Sequence, residues 1–300
     1  MTVRRLRFAI FGNIYQTDRS VGISQLLDKL HDKKMSVSME RAYYDFLVKT
    51  RGLRLDEVEP FDGIDADADF VVSIGGDGTL LRSAYSVGSR CIPIIGVNMG
   101  RLGFLASVGP EDIETVLDSI CRGEYFVDKL AMVQVETTRG DGREIQQCAL
   151  NDIAVLKRDN ASMISIRTSI NGEYIVTYHA DGLIVSTPTG STAYSLSNGG
   201  PIIAPHTGTL CLTPVAPHSL NVRPIVVPDN VEIKLEVESR SHNFLIAVDG
   251  RSAKCDESQI LTIKRAPFDA HIVKPHGMTY FSMLRKKMMW GADTRSTSSK

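Results

Sequence analysis

The chain of 300 residues lacks paired cysteines, long apolar runs and any sizeable net charge, and each lack removes a class of protein. Its five cysteines (Cys91, Cys121, Cys148, Cys211, Cys255) are scattered, odd in number and never spaced C-x-x-C. That argues against a disulfide framework or a zinc site and for a reducing compartment. No segment approaches a membrane span. The start, Met1 to Gly12, carries basic residues and only a short apolar run, and reads as a first strand rather than a signal peptide. A cytoplasmic protein with no membrane partner is expected. A formal net charge of -1 gives no electrostatic reason to expect nucleic acid. After the first strand comes Gly12-Asn13-Ile14-Tyr15, which is no G-x-G-x-x-G, so a hydride-transferring Rossmann enzyme is disfavoured. The seven histidines show no metal spacing.

What is present is most informative at Val71-Val72-Ser73-Ile74-Gly75-Gly76-Asp77-Gly78-Thr79-Leu80. A β-branched apolar run reads as a buried strand, and Leu80 to Tyr85 as the first turns of a helix ending near Gly88. A strand, a glycine turn and a helix leave unpaired backbone N–H groups where phosphate oxygens bind. Glycines let the backbone approach the anion, and Asp77 is set beside it as a base or metal ligand. An ordinary tight turn would also use these residues.

Upstream, Arg7 to Phe11 reads as a strand, Ser20 to Lys33 as a helix, and Met39 to Thr50 as a second helix capped near Gly52. Strands at Phe70–Ile74 and Pro93–Val97 precede a helix at Glu111–Arg122 stopped by Gly123. This alternation predicts a parallel sheet with helices on both faces. From about Leu130 the pattern becomes β-rich. Met132–Thr138 and Glu144–Leu150 flank Gly140-Asp141-Gly142, and Met163–Ile170 and Glu173–His179 flank Asn171-Gly172, both hairpin signals. Runs at Gly182–Ser186, Thr209–Val215, Pro224–Val227, Val231–Val237, Phe244–Val248 and Ile260–Lys264 continue it. The expected architecture is an α/β N-terminal domain with a parallel sheet, residues 1–128, and an all-β, sandwich-like C-terminal domain, residues 129–279. A helix over 280–290, anchored by Trp290, is expected to join the first domain, and 291–300 is polar and expected to be disordered.

A second motif runs from Asp181 through Thr187-Pro188-Thr189-Gly190-Ser191-Thr192-Ala193-Tyr194-Ser195-Leu196-Ser197 to Pro201. It is rich in hydroxyls and backbone donors, and it lies between apolar Leu183-Ile184-Val185 and Ile202-Ile203. A solvated loop has the same composition. A polar loop held between core elements also suits nucleotide recognition, with Tyr194 for stacking or a ribose hydroxyl.

Together with Asn98-Met99-Gly100-Arg101-Leu102-Gly103-Phe104-Leu105 and Asn151-Asp152, the two motifs closely resemble the bacterial NAD kinases, ATP- or polyphosphate-dependent, in the same order from about residue 8 to Trp290. The resemblance implies phosphorylation of the 2′-hydroxyl of the adenosine ribose of NAD to give NADP, with Asp77 as general base. It implies contacts to NAD from Asp77, Gly78, Phe104, Asn151, Asp152, Asp181, Thr192, Ala193, Tyr194 and Ser197, some across a subunit interface. His179 and Arg251 fall where the family's contacts vary. It implies a homodimer or homotetramer. The phosphate-donor loop is read as Gly75, Gly76, Gly78 and Thr79, with Arg82 and Arg101 as candidate phosphate contacts against the plainer reading of surface charges. The family usually has Asn-Glu where this chain has Asn151-Asp152, a carboxylate one methylene shorter.

Phosphoryl transfer to an alcohol needs alignment, a proton acceptor and stabilised phosphate charge. A divalent ion, Mg²⁺ by default, is expected on the phosphate oxygens, held mainly by the donor and water because no protein ligand is obvious. The site is expected between the domains. A lipid or sugar kinase would share the glycine motif but not the Asp181–Tyr194 run, and a non-catalytic NAD-binding regulator would not need Asp77.

Overall fold

A computed structural model describes residues 5–14, 20–65, 67–100, 103–138, 144–158, 162–275 and 277–289. It separates into two compact units, Met1–Lys129 with His271–Lys300, and Leu130–Ala270. No helix among the described residues is long and apolar enough to cross a membrane.

The first unit alternates β1 (Arg7–Gly12), α1 (Ser20–Asp32), β2 (Ser36–Glu40), α2 (Arg41–Arg51), β3 (Val58–Phe61), β4 (Phe70–Ile74), α3 (Asp77–Val87), β5 (Ile94–Val97) and α4 (Ile113–Arg122). The strands are parallel in the order β5-β4-β1-β2-β3. Every residue of β4 is buried, as a central strand covered on both faces requires. Phe8, Ile10, Leu26, Leu30, Leu47, Val72, Val97 and Leu117 share one apolar core. Two helices stop at glycines in the left-handed region, Gly52 (φ 66°) and Gly123 (φ 71°), which also accept the closing backbone geometry best.

Met39 and Glu40 lie in β2 rather than opening the second helix, which starts at Arg41. β2 and β3 add to the expected strands; β2 alternates Ser36, Ser38 and Glu40 with Val37 and Met39, a strand pattern only five residues long that runs straight into the following helix. Ser38 can be buried there because its hydroxyl donates to Asp65 Oδ2 at 2.5 Å, and Arg7 Nε meets the same oxygen at 2.6 Å. The helix predicted from Glu111 begins as a 3₁₀ turn at Pro110–Asp112.

The second unit contains β6 (Phe126–Thr138, begun in the first unit), β7 (Glu144–Ala149), β8 (Asp152–Lys157), β9 (Ile164–Ile170), β10 (Glu173–Ala180), β11 (Gly182–Ser186), a short helix α5 (Tyr194–Ser197), β12 (Thr209–Val215), β13 (Ile225–Pro228), β14 (Ile233–Glu238), β15 (Asn243–Val248), β16 (Arg251–Asp256) and β17 (Leu261–Lys274). A six-stranded antiparallel sheet runs β13-β12-β11-β8-β15-β16, and β10-β9-β14-β17 forms another antiparallel run. Val155, Leu183 and Phe244 of one share a core with Ile166, Ile233 and Ile263 of the other, which is the expected sandwich. The β9–β10 hairpin turns at Asn171 (φ 50°) and Gly172 (φ 82°), both left-handed as a two-residue turn needs. The Gly140-Asp141-Gly142 turn lies outside the described residues, although β6 and β7 pair antiparallel on either side of it.

The second unit closes at Ala270 rather than at 279, because β17 continues to Lys274 and pairs Ile272 in parallel with Ile94 of β5. A last helix, α6 (Tyr280–Met288), opens with a capping box in which Thr279 accepts from the Ser282 N–H. Trp290 and the 291–300 tail lie outside the described residues.

Candidate active site

In the first unit β4 delivers the chain into Gly75-Gly76-Asp77-Gly78, and α3 begins at Asp77, three residues before the predicted start. Gly75 (φ 154°) is pressed against Thr79, where any Cβ would overlap the threonine Oγ1. Its N–H donates to Val97 O at 2.9 Å, tying the turn to β5. Gly76 and Gly78 differ: a Cβ at either would meet nothing within 4 Å. Gly78 is exposed and Gly76 half-buried, so the loop presents bare backbone at the N-terminus of an 11-residue helix. Such a terminus favours anions.

Asp77 is half-buried in the first turn. Its carboxylate accepts three consecutive backbone N–H groups, Phe104 to Oδ2 at 2.8 Å, and Leu105 and Ala106 to Oδ1 at 3.0 and 2.9 Å. The 103–108 segment is held against β5 by Val108 N–H to Gly96 O and Asn98 N–H to Val108 O. It can come that close because Gly96 has no side chain to strike the Ala106 backbone, and Gly103 none to strike the Asp77 carboxylate. A carboxylate has about four acceptor directions, two per oxygen. Oδ1 is filled and Oδ2 keeps one. The arrangement is a fixed carboxylate with one open lone pair beside an anion-favouring glycine loop.

Gly75, Gly76, Asp77, Gly78, Thr79 and Phe104 are therefore brought together. Arg82 is drawn away: its Nη2 donates to Gly12 O at 2.6 Å and pairs with Glu40 at 3.0 Å. That guanidinium ties α3 to the ends of β1 and β2. Burial raises the Glu40 carboxyl affinity for protons, against the pull of Arg82. Arg101 lies outside the described residues.

In the second unit Asn151-Asp152 leads into β8. The loop is organised by Asp249, which lies outside both sequence motifs. Its carboxylate accepts from Leu150 N–H at 2.8 Å, Asn151 N–H at 2.9 Å and Asp152 N–H at 3.2 Å. Asp249 (φ 48°) and Gly250 (φ 77°) form the two-residue turn between β15 and β16, and the Asp-Gly pair was the signal for it. The Asp152 carboxyl is buried and pushed up to about 7, by burial first and by the charge of Asp249 second.

The second motif packs on this loop. Thr187 N–H donates to Asn151 O at 2.9 Å and its hydroxyl to Leu150 O at 2.6 Å. Gly190 passes so close that a Cβ would overlap the Asn151 carbonyl. Asn151, Asp152 and the Thr189–Thr192 turn are thus one structure. The hydroxyls do not all face outward. Ser191 and Ser195 are buried, Ser191 donating to Pro188 O at 2.7 Å and Ser195 bonded to Thr213 at 2.8 Å. Thr192 and Ala193 are half-buried, and Tyr194 and Ser197 are exposed. Asp181 pairs with Lys157 at 2.7 Å. His179 is exposed and bonds Ser165, while Arg251 donates to the carbonyls of Val248 and Cys148. No cluster of three or more His, Cys, Asp or Glu able to hold a metal occurs among the described residues.

Comparison with known proteins identifies the family of both parts of the chain. Residues 13–125 match the ATP-NAD kinase N-terminal domain model and residues 150–275 the ATP-NAD kinase C-terminal domain model. An NAD kinase of Bacteroides fragilis is 51% identical over 292 residues, covering 97% of this chain and 100% of the relative. One from Flavobacterium psychrophilum is 40% identical, covering 97% and 100%. Among solved structures, an Archaeoglobus fulgidus NAD kinase in complex with ATP matches with a TM-score of 0.72 at 28% identity, covering 95% of this chain and 98% of that one. A yeast NADH kinase complexed with NADH matches with a TM-score of 0.90 at 20% identity, covering 100% and 91%, a likeness of fold.

Proposed function

The chain belongs to the ATP-NAD kinase family, and from that membership we propose that it phosphorylates the 2′-hydroxyl of the adenosine ribose of NAD, using ATP or another polyphosphate donor. The observation that carries the chemistry is the Asp77 carboxylate, fixed by three backbone N–H groups with one Oδ2 lone pair left open. The acceptor hydroxyl gives its proton to that oxygen as its own oxygen bonds to the terminal phosphorus. The bond from phosphorus to the bridging oxygen breaks, and its electron pair leaves with the nucleoside diphosphate, or with the polyphosphate shortened by one phosphate. The proton then passes from Asp77 to solvent.

Glycine-loop N–H groups and the α3 N-terminus offset charge on the transferred phosphoryl group. Asn151, Asp152, Asp181, Thr192, Ala193, Tyr194, Ser197 and Phe104 are assigned to NAD by the family resemblance. The packing of the Thr189–Thr192 turn on Asn151 supports treating the second-unit residues as one binding surface. The internal bonds of Arg82, His179 and Arg251 make these weaker candidates. Magnesium is proposed to arrive on the polyphosphate chain rather than on a protein cluster. A homodimer or homotetramer in the cytoplasm completes the reading, and sedimentation in solution tests the assembly. Incubation of the intact protein with NAD, ATP and Mg²⁺ should yield NADP. A folded protein that forms none would end the proposal.

A further inference from the structure

The glycine loop and α3 are tied first toward β5. Gly75 N–H reaches Val97 O, and the Asp77 carboxylate takes the N–H groups of Phe104, Leu105 and Ala106. Leu80, fully buried, packs against Gly96. In the sheet β1 and β2 lie on the other side of β4. Toward them the tie is Arg82, whose Nη2 donates to Gly12 O at 2.6 Å and lies 3.0 Å from Glu40 Oε2. Gly12 ends β1 and Glu40 ends β2, so one guanidinium reaches the carboxyl ends of two neighbouring strands. The accepting strand end is itself fixed, because Gly12 is pressed so close to the Tyr43 ring that a Cβ would overlap it.

Arg82 follows Gly78 by four residues and therefore stands on the same face of α3, leaning toward the turn that carries the bare glycine backbone. Its partner Glu40 is half-buried, and burial works against the charge that Arg82 favours. Apolar side chains of the same volume often hold a helix as well as such a pair does. What a planar guanidinium adds is direction, since its donors have fixed angles. Two other roles fit less well. A direct phosphate contact would require Arg82 to give up Gly12 O and Glu40 together. A plain surface charge would not be shared between two strand ends.

We propose that Arg82 and Glu40 are positioning residues for the phosphoryl donor: braced against the ends of β1 and β2, the guanidinium sets the tilt of α3 and so the direction in which the glycine-loop N–H groups meet the donor's phosphates. This rests on the reading of the glycine loop as the donor's phosphate site. Steady-state kinetics of the intact protein with NAD, ATP and Mg²⁺, with melting curves alongside, test it. Arg82→Met and Glu40→Met should each raise KM for ATP about 3- to 30-fold, the scale on which residues without ligand contact alter an affinity, with KM for NAD within about twofold. The fall in kcat should be smaller, because Asp77 keeps its three backbone donors. Glu40→Gln retains an oxygen for the guanidinium and should recover most of the loss. The double variant Arg82→Met/Glu40→Met should raise KM for ATP no further than Arg82→Met alone, since the two form one brace. It leaves neither charge unpaired, so its melting point should return toward the wild-type value while KM for ATP stays high.

Recovery of KM for ATP together with the melting point in the double variant overturns the proposal, for the pair would then serve stability alone. So does an unchanged KM for ATP in the folded single variants. A raised KM in Arg82→Met with a normal or lowered one in Glu40→Met also overturns it, by making Arg82 a phosphate contact that Glu40 restrains. If Arg82→Met does not fold, Arg82→Lys takes its place, because a point charge cannot reproduce the fork. A smaller rise in KM for ATP at constant KM for NAD then supports the proposal, and no rise overturns it. Failure of wild-type protein to make NADP would instead overturn the activity itself, before any variant is compared.

Discussion

Each unit carries an aspartate whose carboxylate accepts three consecutive backbone N–H groups, yet the surroundings of Asp77 and Asp249 differ in the respect that matters. Asp77 sits among glycines, in the first turn of a helix, beside backbone that nothing crowds. Asp249 occupies a left-handed hairpin position, its carboxyl buried and its proton affinity raised mainly by that burial, with a second carboxyl, Asp152, at the same loop. One hydrogen-bonding device thus serves two ends. In the first unit the loop fixes the carboxylate; in the second the carboxylate fixes the loop.

The contrast can be broken most sharply at Asp77. Asp77→Asn keeps one oxygen for the Leu105 and Ala106 N–H groups, sets an NH2 against the Phe104 N–H and loses the proton acceptor, so kcat should fall about 10²- to 10⁴-fold while stability falls by no more than the about 1–3 kcal/mol of one stranded N–H. Near-normal turnover would make the two aspartates equivalent scaffolds. Asp249→Ala should do the reverse in the first instance. It strands the N–H groups of Leu150, Asn151 and Asp152, at about 1–3 kcal/mol for each that stays buried and unpaired, and a lower melting point with a raised KM for NAD is expected. An unaltered melting curve would show that the loop holds without it.

The smallest effect is a pH dependence. Asp152 keeps its proton to about pH 7 in the folded chain, whereas an unfolded aspartate gives it up near 4. Between these values the unfolded state binds fewer protons, so this group's contribution to stability falls as pH rises from about 4 to 7 and then levels. Asp152→Asn should flatten that stretch of the stability profile; an identical slope in the variant would remove Asp152 as its source.

The Asp77 half of this comparison is legible in the sequence and the Asp249 half is not, for a physical reason. Val71 to Leu80 announces itself, because a buried strand, a glycine turn and a helix start are all local. The Asn171-Gly172 hairpin is local too. Asp249 acts on a loop about a hundred positions away in sequence, and no short pattern records such a bond. Its Asp-Gly turn was visible, but Arg251-Ser252-Ala253-Lys254 looks too polar for a strand until it is seen as the edge of a sheet. The hydroxyl-rich run misled in the opposite direction. Composition says that Ser191 and Ser195 are available, while packing turns both inward to satisfy buried carbonyl and hydroxyl groups.

The empty surroundings of Gly76 and Gly78 have one more consequence. Neither adopts a positive φ and neither is crowded by its own chain, so the architecture would accept a methyl group at both positions. A library randomised there and screened once for soluble expression and once for turnover would therefore read two separate demands. Tolerance in the first screen would belong to the polypeptide, and any intolerance confined to the second would outline the molecule that the loop wraps.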